Sequence, residues 1–174
     1  MKASKLVALP ILSTALFVQP ALATGDNTIS TRLKGVQEVP SVISAAKGRF
    51  KAHIDERAGA IDFELSYSGL EGEVRQAHIH VGQRGANGGI SVFLCQTAAN
   101  PDPTGFAAQC VQSGTVTGVL RAANVIGPAG QGVAAMEFSA LIDAIRAGVA
   151  YANVHSTKFP GGEVRGQLRD HDDD

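Results

Sequence analysis

The sequence predicts an all-β fold, a Greek-key-like β-sandwich of about eight strands with one short helix. Three observations carry that reading. Apolar and polar residues alternate in many short runs. Gly, Pro, Asn and Asp separate these runs, from a supply of 20 Gly and 7 Pro. A helical apolar period occurs in one short stretch, Phe138 to Ile145.

Residues 28–34 form the first strand, and Val39-Pro40 ends the loop behind it because proline cannot donate to a β-ladder. Phe50, Ala52 and Ile54 then alternate with Arg49, Lys51 and His53. After Glu56-Arg57-Ala58-Gly59 the alternation resumes with Ile61, Phe63, Leu65 and Tyr67, which together spell a hairpin. A fourth strand (74–81) and a fifth (90–95) flank the loop Gly82 to Gly89, whose glycines mark a tight backbone path. Residues 96–113 contain Pro101, Pro103 and Gly105 and cannot stay regular for long. A strand at 115–120 and a loop at 127–130 follow. Phe138, Leu141, Ile142 and Ile145 recur at helical spacing, and Gly148 stops that helix from the position just past its end. The last two strands are 149–155 and 163–168. Glu163 and Arg165 share a face of the final strand, which predicts a surface ion pair worth under about 1 kcal/mol.

Residues 1–23 read as a signal peptide. Lys2 and Lys5 precede an apolar run from Leu6 to Val18, and Ala21-Leu22-Ala23 supplies a small-residue cleavage site. The apolar run is shorter than the roughly 20 residues a membrane-spanning helix needs, so no integral membrane segment is expected after cleavage. One β domain over 24–169 follows, then an acidic, disordered tail over 170–174. The expected destination is the periplasm or the extracellular medium.

Removal of Lys2 and Lys5 leaves 13 Lys and Arg against 16 Asp and Glu, a net charge near −3. Such a chain has no basic excess with which to hold a nucleic acid. The two cysteines, Cys95 and Cys110, read as a disulfide in an exported protein. Neither belongs to a CxxC motif, so a reactive thiol is not expected.

The chemistry concentrates in three histidines. In Ala77-His78-Ile79-His80-Val81 the imidazoles share one strand face, because side chains alternate. On the penultimate strand Tyr151, Asn153 and His155 share a face, and His155 is the candidate third ligand. Three imidazoles with an open position suit copper or zinc. Satisfied polar strand residues are the alternative. His53 lies on a face with Arg49 and Lys51 and points to solvent, and His171 belongs to the acidic tail. No serine sits in a G-x-S-x-G elbow, and the Gly82 to Gly89 loop lacks the Lys-Ser/Thr pair of a phosphate-binding loop.

These segments resemble the CHRD domain, the module named for chordin and found singly in exported bacterial proteins. Leu33-Lys34-Gly35 with Gln37-Glu38-Val39-Pro40 resembles the family's opening motif, and Ala77 to Gly82 its central A-H-I-H-x-G. Asn87-Gly88 resembles the following turn. The run from Gly148 to Ser156, then Pro160-Gly161-Gly162-Glu163-Val164-Arg165-Gly166-Gln167-Leu168, resembles the closing motif. Ser156 for Thr and Val164 for Ile are the departures. The resemblance spans roughly 31–169 and implies no general catalytic activity. It maps the family's motif histidines onto His78, His80 and His155. A looser similarity to copper–zinc superoxide dismutase fails on the absence of histidine between Val81 and Val154, so neither a dinuclear site nor dismutation is expected.

Two readings result. One is an exported, non-enzymatic binding or structural module whose partner, a protein or a polysaccharide, the sequence does not name. The other is a mononuclear copper or zinc protein with a His78, His80 and His155 site, open to redox activity.

Overall fold

Side-chain alternation along short apolar runs produces nine strands and one α-helix in the computed structural model, which describes residues 27–169. The expected signal peptide and the acidic tail with His171 lie outside the described residues. In chain order the elements are β1 (Thr28–Lys34), β2 (Lys47–Asp55), β3 (Ala60–Ser68), β4 (Val74–Val81), β5 (Gly89–Gln96), β6 (Ala108–Gln109) and β7 (Gly114–Leu120). Helix α1 (Phe138–Arg146) and strands β8 (Ala150–Ser156) and β9 (Val164–Gln167) complete the chain.

All nine strands join one sheet in the order β6-β5-β4-β8-β9-β1-β2-β3-β7. Every pairing is antiparallel except β5 with β6. The sheet twists until β7 comes alongside β5 and β6, so it nearly closes and leaves little free edge. The all-β class and the single short helix are as the sequence predicts. The strand beyond the expected eight is β6, two residues inside the irregular 96–113 segment.

The expected hairpin is present as β2–β3, with Phe50 opposite Leu65 and Ile54 opposite Ile61. Its inward residues pack with Ala77, Ile79 and Val81 of β4 and Ala150, Ala152 and Val154 of β8 in one core. Burying each larger side chain contributes at most about 1.5–3 kcal/mol. Leu141, Ile142 and Ile145 turn one face of α1 inward, beside β8. Gly148 then takes a left-handed φ of 66° past the helix end, as its position predicts, and releases the chain into β8.

Cys95 and Cys110 form a disulfide. The loop it closes is anchored from within by the buried Asp102 carboxylate, which accepts from the Thr104 hydroxyl and the backbone N–H groups of Thr104, Phe106 and Ala107. The expected Glu163–Arg165 ion pair does not form. Glu163 precedes β9 and is fully buried, where its Oε1 accepts from the Ser44 hydroxyl at 2.7 Å and the Glu71 N–H at 2.8 Å. Loops across the sheet meet this carboxylate first, while Arg165 extends over the Tyr151 ring.

Candidate metal centre

The face of β4 and β8 that points away from the apolar core is also buried. His78 is 0 % exposed, His80 7 % and His155 5 %. Antiparallel pairing places His80 opposite Tyr151, His78 opposite Asn153 and Gln76 opposite His155. His155 thus reaches diagonally toward His78, and one ring nitrogen from each of the three histidines lies within 4.8 Å of the other two. Ring centroids are 5.0 Å apart for His78 and His155, 5.3 Å for His78 and His80, and 5.9 Å for His80 and His155.

Hydrogen bonds decide which nitrogens carry lone pairs. His80 Nδ1 lies 3.0 Å from the Gly88 carbonyl, and His155 Nδ1 lies 3.0 Å from the Pro160 carbonyl. A carbonyl can only accept, so both Nδ1 atoms carry the proton and both Nε2 atoms carry a lone pair. His78 Nδ1 is 3.2 Å from His155 Nε2. The Nε2 atoms of His78 and His80 are buried with no hydrogen-bond partner among the described residues. Unpartnered buried nitrogens of this kind are costly unless something occupies their lone pairs.

Burial pushes the His78 pKa down to about 2, and the neighbouring His155 and His80 add to the effect. Burial likewise lowers His80 to about 4 against the opposing pull of the Gly88 carbonyl, with His155 and Arg165 lowering it further. His155 is lowered to about 4 by burial, opposed by the Pro160 carbonyl. All three rings are therefore neutral near pH 7, the protonation state a metal ion requires of imidazole.

Two glycines set the carbonyls that orient the rings. A Cβ on Gly88 would lie 1.6 Å from the Val81 carbonyl oxygen, so only glycine lets the 82–89 loop fold back onto the end of β4. That fold brings the Gly88 oxygen to His80. Gly162 has a φ of 130°, and a Cβ there would lie within 2.8 Å of the Asn153 amide and the Glu38 carboxylate. The Pro160-Gly161-Gly162 turn can thus press its Pro160 oxygen against His155.

Aromatic and charged groups close the site. The Phe93 ring meets His78 edge-on at 4.3 Å, and Tyr151 stacks on His80 at 4.8 Å with planes 3° apart. The Arg165 guanidinium lies 3.4 Å from the Tyr151 ring centre on its other contact. Asn153 Nδ2 donates to the Glu38 carboxylate and to the Val164 carbonyl. Burial raises the Glu38 pKa to about 7, against the lowering pull of the Asn153 hydrogen bond and the Arg165 charge.

The sequence puts His78 and His80 on one strand face and makes His155 the candidate third ligand from a neighbouring strand, and the structure brings the three rings together. His53 is exposed, as expected, and remote from the trio in the β2–β3 ladder. Phe93 and the closing role of Arg165 were not legible, because an apolar ring on β5 and a cation on β9 give no signal that they face one polar cluster. Glu38 did have a signal, its place in the opening motif. Residues from all four quoted motifs meet here: Glu38, then His78 and His80, then Gly88, then Tyr151, Asn153, His155, Gly162 and Arg165.

A family model for the CHRD domain matches residues 29–168. The chain belongs to the CHRD domain family. No curated protein and no solved structure matches it. In this CHRD domain the family motifs, scattered along the sequence, build one buried polar cluster on the outer face of β4, β8 and β9. Among the described residues no helix is long and apolar enough to cross a membrane.

Proposed function

We propose that this CHRD-domain protein is exported and binds one copper or zinc ion through His78, His80 and His155, without a catalytic role of its own. The observation that carries the reading is the convergence of three neutral, buried imidazoles within 4.8 Å, two of them held by backbone carbonyls at the ring nitrogen that faces away. Ligating histidines characteristically donate their second N–H to a carbonyl or carboxylate in this manner. The donor set contains nitrogen only, which favours copper or zinc over magnesium or calcium. Three nitrogens on one ion at about 2.0–2.1 Å sit roughly 3.4 Å apart, so side-chain rotations on the order of an ångström suffice. Three imidazoles would leave a tetrahedral ion one coordination position for a ligand other than protein nitrogen. Export to the periplasm or beyond is supported by the charged, apolar and Ala-x-Ala succession over residues 1–23, by the disulfide and by the family.

The test is metal content. Mature protein purified from the periplasm or medium is loaded with Cu(II), Cu(I) or Zn(II), freed of excess ion and analysed beside His80→Ala. One equivalent in the wild type and none in the variant supports the site. A wild type that retains none of the three ions removes it. The mass of the purified chain reports export separately, since cleavage after Ala23 leaves Thr24 as its first residue.

A further inference from the structure

The solvent face of the β1–β2 hairpin end carries a second feature, unrelated to the histidines. Register places Arg32 directly opposite Arg49 and Lys34 directly opposite Lys47. All four side chains are exposed. Like charges facing each other across an antiparallel pair destabilise the sheet, so this arrangement costs the fold something and gains it nothing internally. Neighbouring residues on one strand face stand about 6.8 Å apart and strands about 4.8 Å apart, so four cations rise from one small patch.

Among the described residues no carboxylate forms an ion pair with any of the four. On the adjacent strand β3, Lys47 and Arg49 face Ser68 and Ser66. At the far end of the same ladder the pattern differs, because Lys51 faces Glu64 and His53 faces Asp62. The two side-chain ion pairs among the described residues, Arg146 with Glu56 and Lys158 with Glu71, involve none of the four. On the other edge of β1, Lys34 faces Arg165, again a cation. The patch lines a groove of about 560 Å³ whose lining residues also include Ser66, Ser68, Ser113 and Thr115 and no Asp or Glu.

We propose that this groove binds an acidic polysaccharide. The cations match carboxylate or sulfate groups repeated along a sugar chain, and the serine hydroxyls match sugar hydroxyls as donors and acceptors. A nucleic acid fits less well. The one aromatic residue lining the groove, Tyr67, is buried in the core and its hydroxyl donates inward to the Val111 carbonyl, so no ring is offered for base stacking. The mature chain is also net acidic, so it has no overall basic excess that would draw polyanions to it at large. An exported protein meets polysaccharides at the cell surface, though binding at this groove is measurable whether or not export is confirmed and does not depend on the metal site.

The experiment titrates mature protein with polygalacturonate and with heparin, using dextran as the uncharged control and duplex DNA as a polyanion without sugar carboxylate or sulfate. Binding should appear for one or both acidic polysaccharides, weaken with salt, and be absent for dextran. Lys47→Gln/Arg49→Gln should weaken it at least about tenfold, whereas Lys51→Gln, at the neutralised end, should leave it unchanged. The double variant also removes both like-charge pairs, so it should melt no lower than the wild type, which separates lost binding from lost folding. The proposal is overturned if neither polysaccharide binds at low salt, if DNA binds as tightly as both, or if Lys51→Gln weakens binding as much as the double variant.

Discussion

His78 Nδ1 lies 3.2 Å from His155 Nε2, across the ladder of β4 and β8 and buried. Since His155 Nδ1 donates to the Pro160 carbonyl, its Nε2 accepts, and in the metal-free protein His78 Nδ1–H is the donor. His155→Ala removes that acceptor and leaves a buried N–H without a partner. The expected cost is about 1–3 kcal/mol in the metal-free protein, read from urea unfolding. Metal adds a second readout. An ion at 100 times its dissociation constant should stabilise the wild type by about 2.7 kcal/mol and the variant not at all. Equal stabilisation of both proteins would place the ion elsewhere.

Gly88 controls the aim of His80 through its carbonyl. Gly88→Ala drives a Cβ into the Val81 oxygen, a clash of backbone with backbone that no side-chain rotation relieves. The loop must move, and the variant should lose more than about 2 kcal/mol of stability. If it still folds, metal affinity should fall about 10–100-fold, because the N–H that orients the His80 ring loses its acceptor. Gly85→Ala, with open space around its Cβ but a φ of 78°, makes a useful comparison. It carries backbone strain alone and should leave affinity near the wild-type value.

The extent to which this structure was legible in the sequence follows from the range of the interactions involved. The β2–β3 hairpin was clear because Phe50, Ala52 and Ile54 and their partners Leu65, Phe63 and Ile61 are near in sequence and alternate cleanly. The joining of the two halves into one sheet was not, since it depends on β9 pairing with β1 more than 100 residues away. The burial of the histidine face was hidden for a related reason. Alternation marks His78 and His80 as opposite to Ile79, and ordinarily that means solvent. Here Gly88, Pro160, Phe93 and Glu38 arrive from four separate segments to cover it. The Glu163–Arg165 pair failed on the same ground, because local spacing could not foresee Ser44 and the Glu71 N–H reaching Glu163 first.

Reduction of the Cys95–Cys110 bridge should destabilise the domain by less than its loop length suggests. A loop closed at a separation of 15 residues is worth about 3 kcal/mol when its chain is otherwise free. This loop is not otherwise free. Asp102 gathers four hydrogen bonds inside it, and the Gln96 side chain holds the Ala107 carbonyl and the Asp102 N–H. Any of that structure persisting in the reduced chain lowers the entropy the bridge can remove, so a loss of about 1–2 kcal/mol is expected from Cys95→Ser/Cys110→Ser. Adding Asp102→Ala should then cost more in the bridge-free chain than in the oxidised protein. Equal costs in both backgrounds would show that the bridge and the carboxylate act independently.

The burial of Glu38 predicts a pH dependence of stability with a definite sign. Its pKa is near the ordinary 4.5 in the unfolded chain and about 7 in the folded one, mainly because burial disfavours the carboxylate. Between those values the folded state holds a proton that the unfolded state has released, so stability falls as pH rises through the window. Below 4.5 both states are protonated and the contribution is complete; above 7 the loss levels off at about 3 kcal/mol at most. Glu38→Gln keeps an oxygen for the Asn153 amide but cannot ionise. Its stability relative to the wild type should therefore climb from pH 4.5 to 7 and then stay constant. The three site histidines titrate in both proteins, so they largely cancel in this difference. Urea unfolding of the metal-free pair at pH 4.5, 6 and 8 measures it, and a difference that shrinks as pH rises would mean that Asn153 and Arg165 hold Glu38 ionised despite its burial.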